Sequence, residues 1–501
     1  MEKRKRALYN LIVGVGGKIL LMALGFVVPK LYIENYGSEV NGLLSSIAQV
    51  FSYLALLEAG IGTAATQALY KPVANGDTEK INGIMSAASR FYKRTGTLYA
   101  LGVLLFALVY PLVVSSDVKD TTVFLLILLS GANGVLNYFF QAKYFNLLNA
   151  EGKNYVHISI GTAISLLTTV SKIVLLALRL DVVIVYTVYF LLALLQNLAN
   201  SLYIKKHYKY LSCREKPDNA ALKQSGSVLV HQISSLVFSH TDVLILTAFC
   251  DLNAVSIYVI YSMVTDSLSS ILTMVFSSFT AALGLTYNED KDRFRRYFDL
   301  FELGTWVLSF GLMAVALLLY KPFIALYTAN ADINYVDDWL PLLFVVAKLL
   351  SLIRMPGVTA INVAGHFDVT RGRSIAESVI NIAVSLVCVY FLGIYGVLLG
   401  TIAALLYRTV DIIIYTNQRI VYRKPGHIIG RLLIVLLVSA GIVVLCTPLA
   451  EKITAWLAFL LAGVGFTGVT LVLLTLTGLA EAKNTDSIAT LKKLFIRKNK
   501  V

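Results

Sequence analysis

Acid and sulfur are scarce in this sequence. Its 501 residues hold 29 Asp and Glu against 43 Lys and Arg, and only four cysteines. Cys213, Cys250, Cys388 and Cys446 are scattered, with no CxxC pair and no metal-ligand spacing, so neither a disulfide scaffold nor a thiolate metal site is expected. Charge of either sign is sparse at 14%. No P-loop is present, which removes ATP hydrolysis. "GVGFTG" (463–468) fits GxGxxG but lies inside an apolar run, not between a strand and a helix. The dinucleotide reading therefore fails, and small residues for close helix contact remain.

What is abundant is apolar surface. The chain is 57% hydrophobic, with a mean hydropathy of +0.74. A soluble protein of this length cannot bury so much, so the class is an all-α polytopic membrane protein. No small-residue cleavage site closes the run after the basic 1–6, which is expected to be a first helix rather than a removed signal. Fourteen runs approach the ~20 residues needed to span a bilayer. They are 7–29, 40–68, 95–114, 121–142, 156–178, 182–204, 226–249, 254–284, 299–320, 338–360, 374–392, 394–416, 429–447 and 454–478.

Lys and Arg resist translocation and so set orientation. With the N-terminus inside, the inner segments carry 33 of them and the outer loops five. Five more lie within spans: Lys18, Lys172, Lys348, Arg354 and Arg408. Both termini are expected in the cytoplasm. The basic excess tracks alternate loops, which sets nucleic acid aside as a partner. The outer loops are short and leave no room for a soluble domain.

The chain also repeats. "NAEGK" (149–153) follows the fourth run and "NVAGH" (362–366) the tenth, 213 residues on. "GSEVNGL" (37–43) opens the second run and "LNAVSIY" (252–258) the eighth, at an offset near 214. Two six-helix lobes follow, related by a pseudo-two-fold axis along the membrane normal. Their domains are 1–204, a cytoplasmic linker 205–225, and 226–416. Two further helices and a basic tail occupy 417–501.

The stretch "VVPKLYIENYGSEVNGLLSSIAQVFSYLALLEAGIGTA" (27–64) resembles the first hairpin of polysaccharide flippases. These O-antigen and capsular repeat-unit transporters belong to the multidrug/oligosaccharidyl-lipid/polysaccharide (MOP) exporter superfamily. "SHTDVLIL" (239–246) and "RMPGVTAINVAGHFDVT" (354–370) look like the matching hairpins of the second lobe. The resemblance extends over essentially the whole chain. It implies a V-shaped pair of lobes in a bacterial plasma membrane, and a substrate of oligosaccharide linked to undecaprenyl pyrophosphate. Other polysaccharide-assembly proteins are possible partners besides membrane lipids. No cofactor and no catalytic or metal-binding residue is implied, beyond a coupling Na⁺ or H⁺.

Charges inside spans usually face a cavity or a partner. Lys18 lies ~16 Å from either end of its run, too far for its stem to reach the interface. It is either half of a structural ion pair or a cation lining a cavity. Gly14, Gly16 and Gly17 before it suit either role. Arg354 precedes Pro356 and Gly357, and the proline should open the helix near Leu352. A broken span beside a charge points to a binding site, although a kink also serves packing alone. Lys348 lies six residues nearer the outer face. Together Lys18, Arg354 and Lys348 are the candidate ligands for a pyrophosphate. Lys172 is expected to snorkel, and Arg408 to pair with Asp411 at i,i+3. For coupling, His231, Ser235, Phe238 and Asp242 share one face of the seventh run, as a proton or sodium path or as a polar helix seam. Asp266 and Glu58 are the other candidates. Glu58 could equally make a packing hydrogen bond beside Gly60 and Gly62.

A flippase is the leading expectation. A cation-coupled multidrug exporter would favour an acidic cavity, against which Lys18 and Arg354 argue. A membrane polymerase or ligase would need a sizeable outer loop carrying catalytic groups, which the chain lacks.

Overall fold

A computed structural model describes residues 16–58, 61–213, 215–219, 222, 226–423 and 425–483. Among the described residues, the apolar runs of the sequence fall on helices. Among the described residues, thirteen helices are long and apolar enough to cross a membrane, and Ile233–Phe249 is a shorter apolar one. In hydrocarbon only a helix satisfies all its own backbone groups without an edge, so the all-helical result follows from composition.

The chain divides into two compact units, Met1–Ser256 and Ile257–Val501. The first contains α1 (Gly16–Tyr36), α2 (Ser38–Leu54), α3 (Ile61–Asn75), α4 (Thr78–Val113), α5 (Asp120–Leu136), α6 (Ala142–Ala150), α7 (Asn154–Ala177), α8 (Val182–His207) and α9 (Gly226–Phe249). A π-helical segment, Asn137–Gln141, joins α5 to α6. Tyr32, Leu43, Ile47, Leu126, Leu176 and Val185 form its main core. A second core at the other end of α4 packs Ile81, Ile84 and Met85 on Leu69, Leu147 and Ile204. The linker lies along this part of α4: Asn82 bonds Tyr210 O and Ser212 N, and Asp218 N donates to Gly83 O.

Helix α10 (Leu252–Glu289) leads into the second unit. That unit continues with α11 (Lys291–Tyr327), α12 (Leu340–Ile353), α13 (Met355–Ala364), α14 (Phe367–Leu392), α15 (Ile394–Thr416), α16 (Pro425–Ala450) and α17 (Trp456–Lys483). Helix α11 is its centre, with Trp306 and Phe310 packed on Ile353, Ile428, Val435 and Leu474. The two helices outside the repeat, α16 and α17, thus cover α11. The α14–α15 hairpin is drawn together at Gly396 and Gly400. A Cβ at Gly396 would meet Cys388 C at 2.3 Å, and one at Gly400 would meet Ser385 N at 2.6 Å. Such contact between backbones is the small-xxx-small packing of membrane helices.

Three expectations are refined. The run 40–68 is two elements: α2 runs into a 3-10 turn, Ala55–Glu58, and α3 restarts at Ile61. Of the glycines in "GVGFTG", Gly463 touches α11, where a Cβ would meet Leu319 Cδ1 at 3.5 Å, while nothing lies within 4 Å of a Cβ at Gly465 or Gly468. The basic inner segments 69–94 and 285–298, which the charge reading counts among the cytoplasmic connections, are helix interrupted at 76–77 and at Asp290. Aspartates mark several of these starts: Asp77 caps α4, Asp290 caps α11 and Asp251 bonds Ala254 N at 2.6 Å. Both sequence matches fall on the same structural event. Gly152 and Gly365, 213 apart, turn the chain with φ of 66° and 71°, and α2 and α10 begin 214 apart at Ser38 and Leu252.

Asp337, between α11 and α12, accepts from Trp339 N and Leu340 N at 2.7 and 2.8 Å and from the Tyr395 hydroxyl. Partial burial pushes its carboxyl up. The hydrogen bonds from Tyr395 and the two amides, aided by Lys321, outweigh that and hold it below its ordinary value. Its contribution is therefore complete above the unfolded pKa near 4 and is lost as pH falls through the lower folded value. Asp337→Ala should cost about 1 kcal/mol of thermal stability at neutral pH, as a lost cap does. The gap from wild type should narrow as pH drops from about 5 to about 3. A gap constant over that range would mean that the carboxylate charge does not support the cap.

Candidate functional site

In the second unit the predicted break falls at Arg354, between α12 and α13. Pro356 cannot donate, so the helix ladder opens near Leu352, and the Trp306 indole donates to the neighbouring Ile353 carbonyl at 3.0 Å. Gly357 lets α13 approach α15, since a Cβ there would meet Ile412 Cγ2 at 2.4 Å. The Arg354 guanidinium is engaged by Glu377 of α14. Glu377 also meets Arg408 Nε at 3.5 Å, and Arg408 pairs with Asp411, as the i,i+3 spacing predicts. Asp411 takes Arg373 on its other oxygen at 2.8 Å. The result is a partly buried chain, Arg354–Glu377–Arg408–Asp411–Arg373. Three guanidiniums against two carboxylates leave one net positive charge.

Lys348 pairs with Asp266 of α10. A binding candidate and a coupling candidate therefore meet. Lys348 and Arg354 have different partners on different helices, as their spacing requires.

A second charged cluster lies where α11 begins. Asp299 accepts from Arg423 and Arg431 at 2.7 and 2.8 Å, and Glu302 pairs with Arg423. Arg431, fully buried, ties α16 to α11.

In the first unit Lys18 is exposed and makes no ion pair among the described residues. Gly17 does serve close approach: a Cβ there would meet Thr162 Cγ2 of α7 at 2.5 Å. Gly14 lies outside the described residues. Glu58 accepts from Tyr92 Oη at 3.1 Å, and Asn146 donates to that same hydroxyl at 3.0 Å. Lys172 has a local partner that the sequence reading did not name. Its ammonium lies 5.1 and 4.6 Å from the ring centres of Tyr186 and Tyr189, three residues apart on α8, whose π faces supply a local partner.

Polar side chains of α9 also meet α2. Thr241 bonds Tyr53, His240 meets Gln49, and Thr247 donates to Ser46 at 3.0 Å. The contacts of α2 continue at Asn41 Nδ2, which donates to Ser256 at 2.8 Å. Asp242 is buried and Ser235 exposed, while the side chain of His231 lies outside the described residues.

No family model matches the chain, and no curated protein sequence does. Solved structures do. Lipid II flippase MurJ in an inward closed conformation superposes with a TM-score of 0.70 at 12% identity, over 93% of this chain and 98% of that one. An inward-facing multidrug resistance MATE family transporter of the MOP superfamily gives 0.63 at 14%, over 80% and 94%. The MATE multidrug transporter DinF-BH, in complex with R6G, gives 0.59 at 13%, over 84% and 96%. The chain shares the fold of these structures.

Within that fold, the sequence reading missed Glu377, Asp299 and Glu302. Glu377 stands in the apolar run "SIAESVINIAV" (374–384), where a lone acid was itself a signal. Its three-helix bridging role needs the tertiary register and has no single-helix spacing to betray it.

Proposed function

We propose that this protein is a flippase for lipid-linked oligosaccharide. It would carry undecaprenyl-pyrophosphate-linked sugars from the inner to the outer leaflet by alternating access. The observation that supports the reading is Lys18, an exposed cation with no ion pair among the described residues, which the sequence places mid-span. A lysine at that depth costs about 3 kcal/mol. A diphosphate would offset this through charge-assisted hydrogen bonds. The surplus charge on the arginine chain supports the same substrate. Within the second unit, Arg354 and Lys348 would engage a diphosphate by exchanging a carboxylate partner for it. A proton or sodium ion taken up by Asp266 would release Lys348, which gives ion coupling a concrete route. Asp242, Glu58 and His231 are further coupling candidates.

Likeness to a lipid II flippase over 93% of the chain supports a lipid-linked substrate. The two MATE matches use 94–96% of their own length yet leave 16–20% of this chain over (100 − 84 and 100 − 80). That remainder is the size of 417–501. The membrane would be a bacterial plasma membrane, with both termini inside and other polysaccharide-assembly proteins nearby.

The test is reconstitution into vesicles with a fluorescent undecaprenyl-pyrophosphate disaccharide. Exposure of the label to an outside quencher should accelerate with protein, while R6G should not accumulate. R6G uptake without lipid translocation would establish the multidrug exporter instead. Lengthened saccharide products would establish a polymerase.

A further inference from the structure

The start of α14 and the end of α15 enclose a cleft of about 530 Å³. Pockets of about 300–1,000 Å³ hold drug-sized ligands. His366, Arg373, Asp411, Tyr415, Arg419 and Tyr422 are among its lining residues. Its one carboxylate is already engaged, because Asp411 takes both Arg373 and Arg408. Arg373 stacks 4.7 Å over the Tyr415 ring, and the Tyr415 hydroxyl meets His366 Nδ1 at 3.0 Å. These contacts hold one wall in place. Arg419, by contrast, has no ion pair among the described residues.

The backbone around Arg419 is unusual. Asn417–Val421 is a π-helical turn, and Tyr422 follows with φ of 57°. A bulky residue in the left-handed region is strained, and π turns gather at functional sites. Both irregularities fall on the segment that brings Gln418, Arg419 and Tyr422 to the cleft. Tyr422 stays 68% exposed, so apolar burial does not compensate the strain. The charge reading places this end of the unit at the cytoplasmic face, where the leaflet presents phosphate.

We propose that this cleft is a phosphate-binding site. Arg419 and Arg373 supply the charge, Gln418 a further donor, and Tyr422 covers the mouth. The phosphate is either the anionic headgroup of an inner-leaflet phospholipid or a soluble phosphate. The cleft shares Arg373 and Asp411 with the arginine chain, but the proposal does not rest on the transport reading.

The test uses the purified full chain in detergent, followed by thermal unfolding. Three additives are titrated at fixed ionic strength: dioctanoyl phosphatidylglycerol, inorganic phosphate, and dioctanoylglycerol, which has no phosphate. The phosphate-bearing probes should stabilise, and dioctanoylglycerol should not. Stabilisation by phosphatidylglycerol alone assigns the site to lipid. Equal stabilisation by inorganic phosphate assigns it to a soluble source. Arg419→Gln should raise the half-saturating concentration about tenfold, the effect of one charge-assisted contact. Val369→Glu, which adds a negative charge from the opposite wall, should weaken binding as well. Half-saturation unchanged in both variants, equal stabilisation by dioctanoylglycerol, or no stabilisation by any phosphate would overturn the proposal.

Discussion

Glu377→Ala should be the most destabilising single change at the charged sites. Glu377 joins Arg354 on the broken helix to Arg408 on α15. Its side chain is 10% exposed, and that of Arg408 6%. Truncation would leave three guanidiniums facing the single carboxylate of Asp411. Removing one partner of a buried ion pair typically costs about 3–5 kcal/mol, because the other charge stays desolvated. A loss on that scale should appear as a large drop in unfolding temperature and in membrane abundance. The double variant Arg354→Ala/Glu377→Ala restores the original surplus of one charge and should recover much of the loss. Recovery would identify the charge imbalance as the cause. A double variant no better than the single one would place the effect in lost packing around α13.

Lys18→Ala should instead abolish most transport and spare the protein. No ion pair is broken among the described residues, so stability should change by less than about 1 kcal/mol, and removing a charge from mid-span could even be favourable. Translocation of the labelled lipid should fall at least about tenfold, the value of one charged contact to a diphosphate. Lys18→Arg should retain part of the rate, since charge survives while geometry changes. Wild-type translocation by Lys18→Ala would remove Lys18 from the substrate path. Falling abundance in proportion to activity would mean that Lys18 holds the fold.

Hydropathy located the helices well because it measures what hydrocarbon demands. Among the described residues the runs lie on helices, with one run, 40–68, divided in two, and Pro356 placed the break within two residues of Arg354. It said little about polar helix. Segments 78–94 and 285–298 read as cytoplasmic connections by charge, yet Asp77 and Asp290 cap them as helix and tertiary contacts hold 81–85. Partnerships within one helix were legible, as with Arg408 and Asp411. Partnerships across helices were not: Lys348 with Asp266, Arg354 with Glu377, and Lys172 over Tyr186 and Tyr189. Each depends on rotation about a helix axis, which sequence spacing leaves open when the surroundings are apolar on all sides.

The three longest helices have a mechanical consequence. Helices α4, α10 and α11 have 36, 38 and 37 residues. At ~1.5 Å per residue each measures roughly 55 Å, against a hydrocarbon core of about 30 Å. The excess is continuous with the spanning part, so it cannot absorb a tilt as a slack loop would. In α4 the 17 residues of 78–94 make an arm of ~25 Å, and a tilt of about 10° would sweep its tip through ~4 Å. Motion within the bilayer would thus be legible from the water phase. A spin-label pair at the arm's tip would read out the transport cycle without a probe in the membrane.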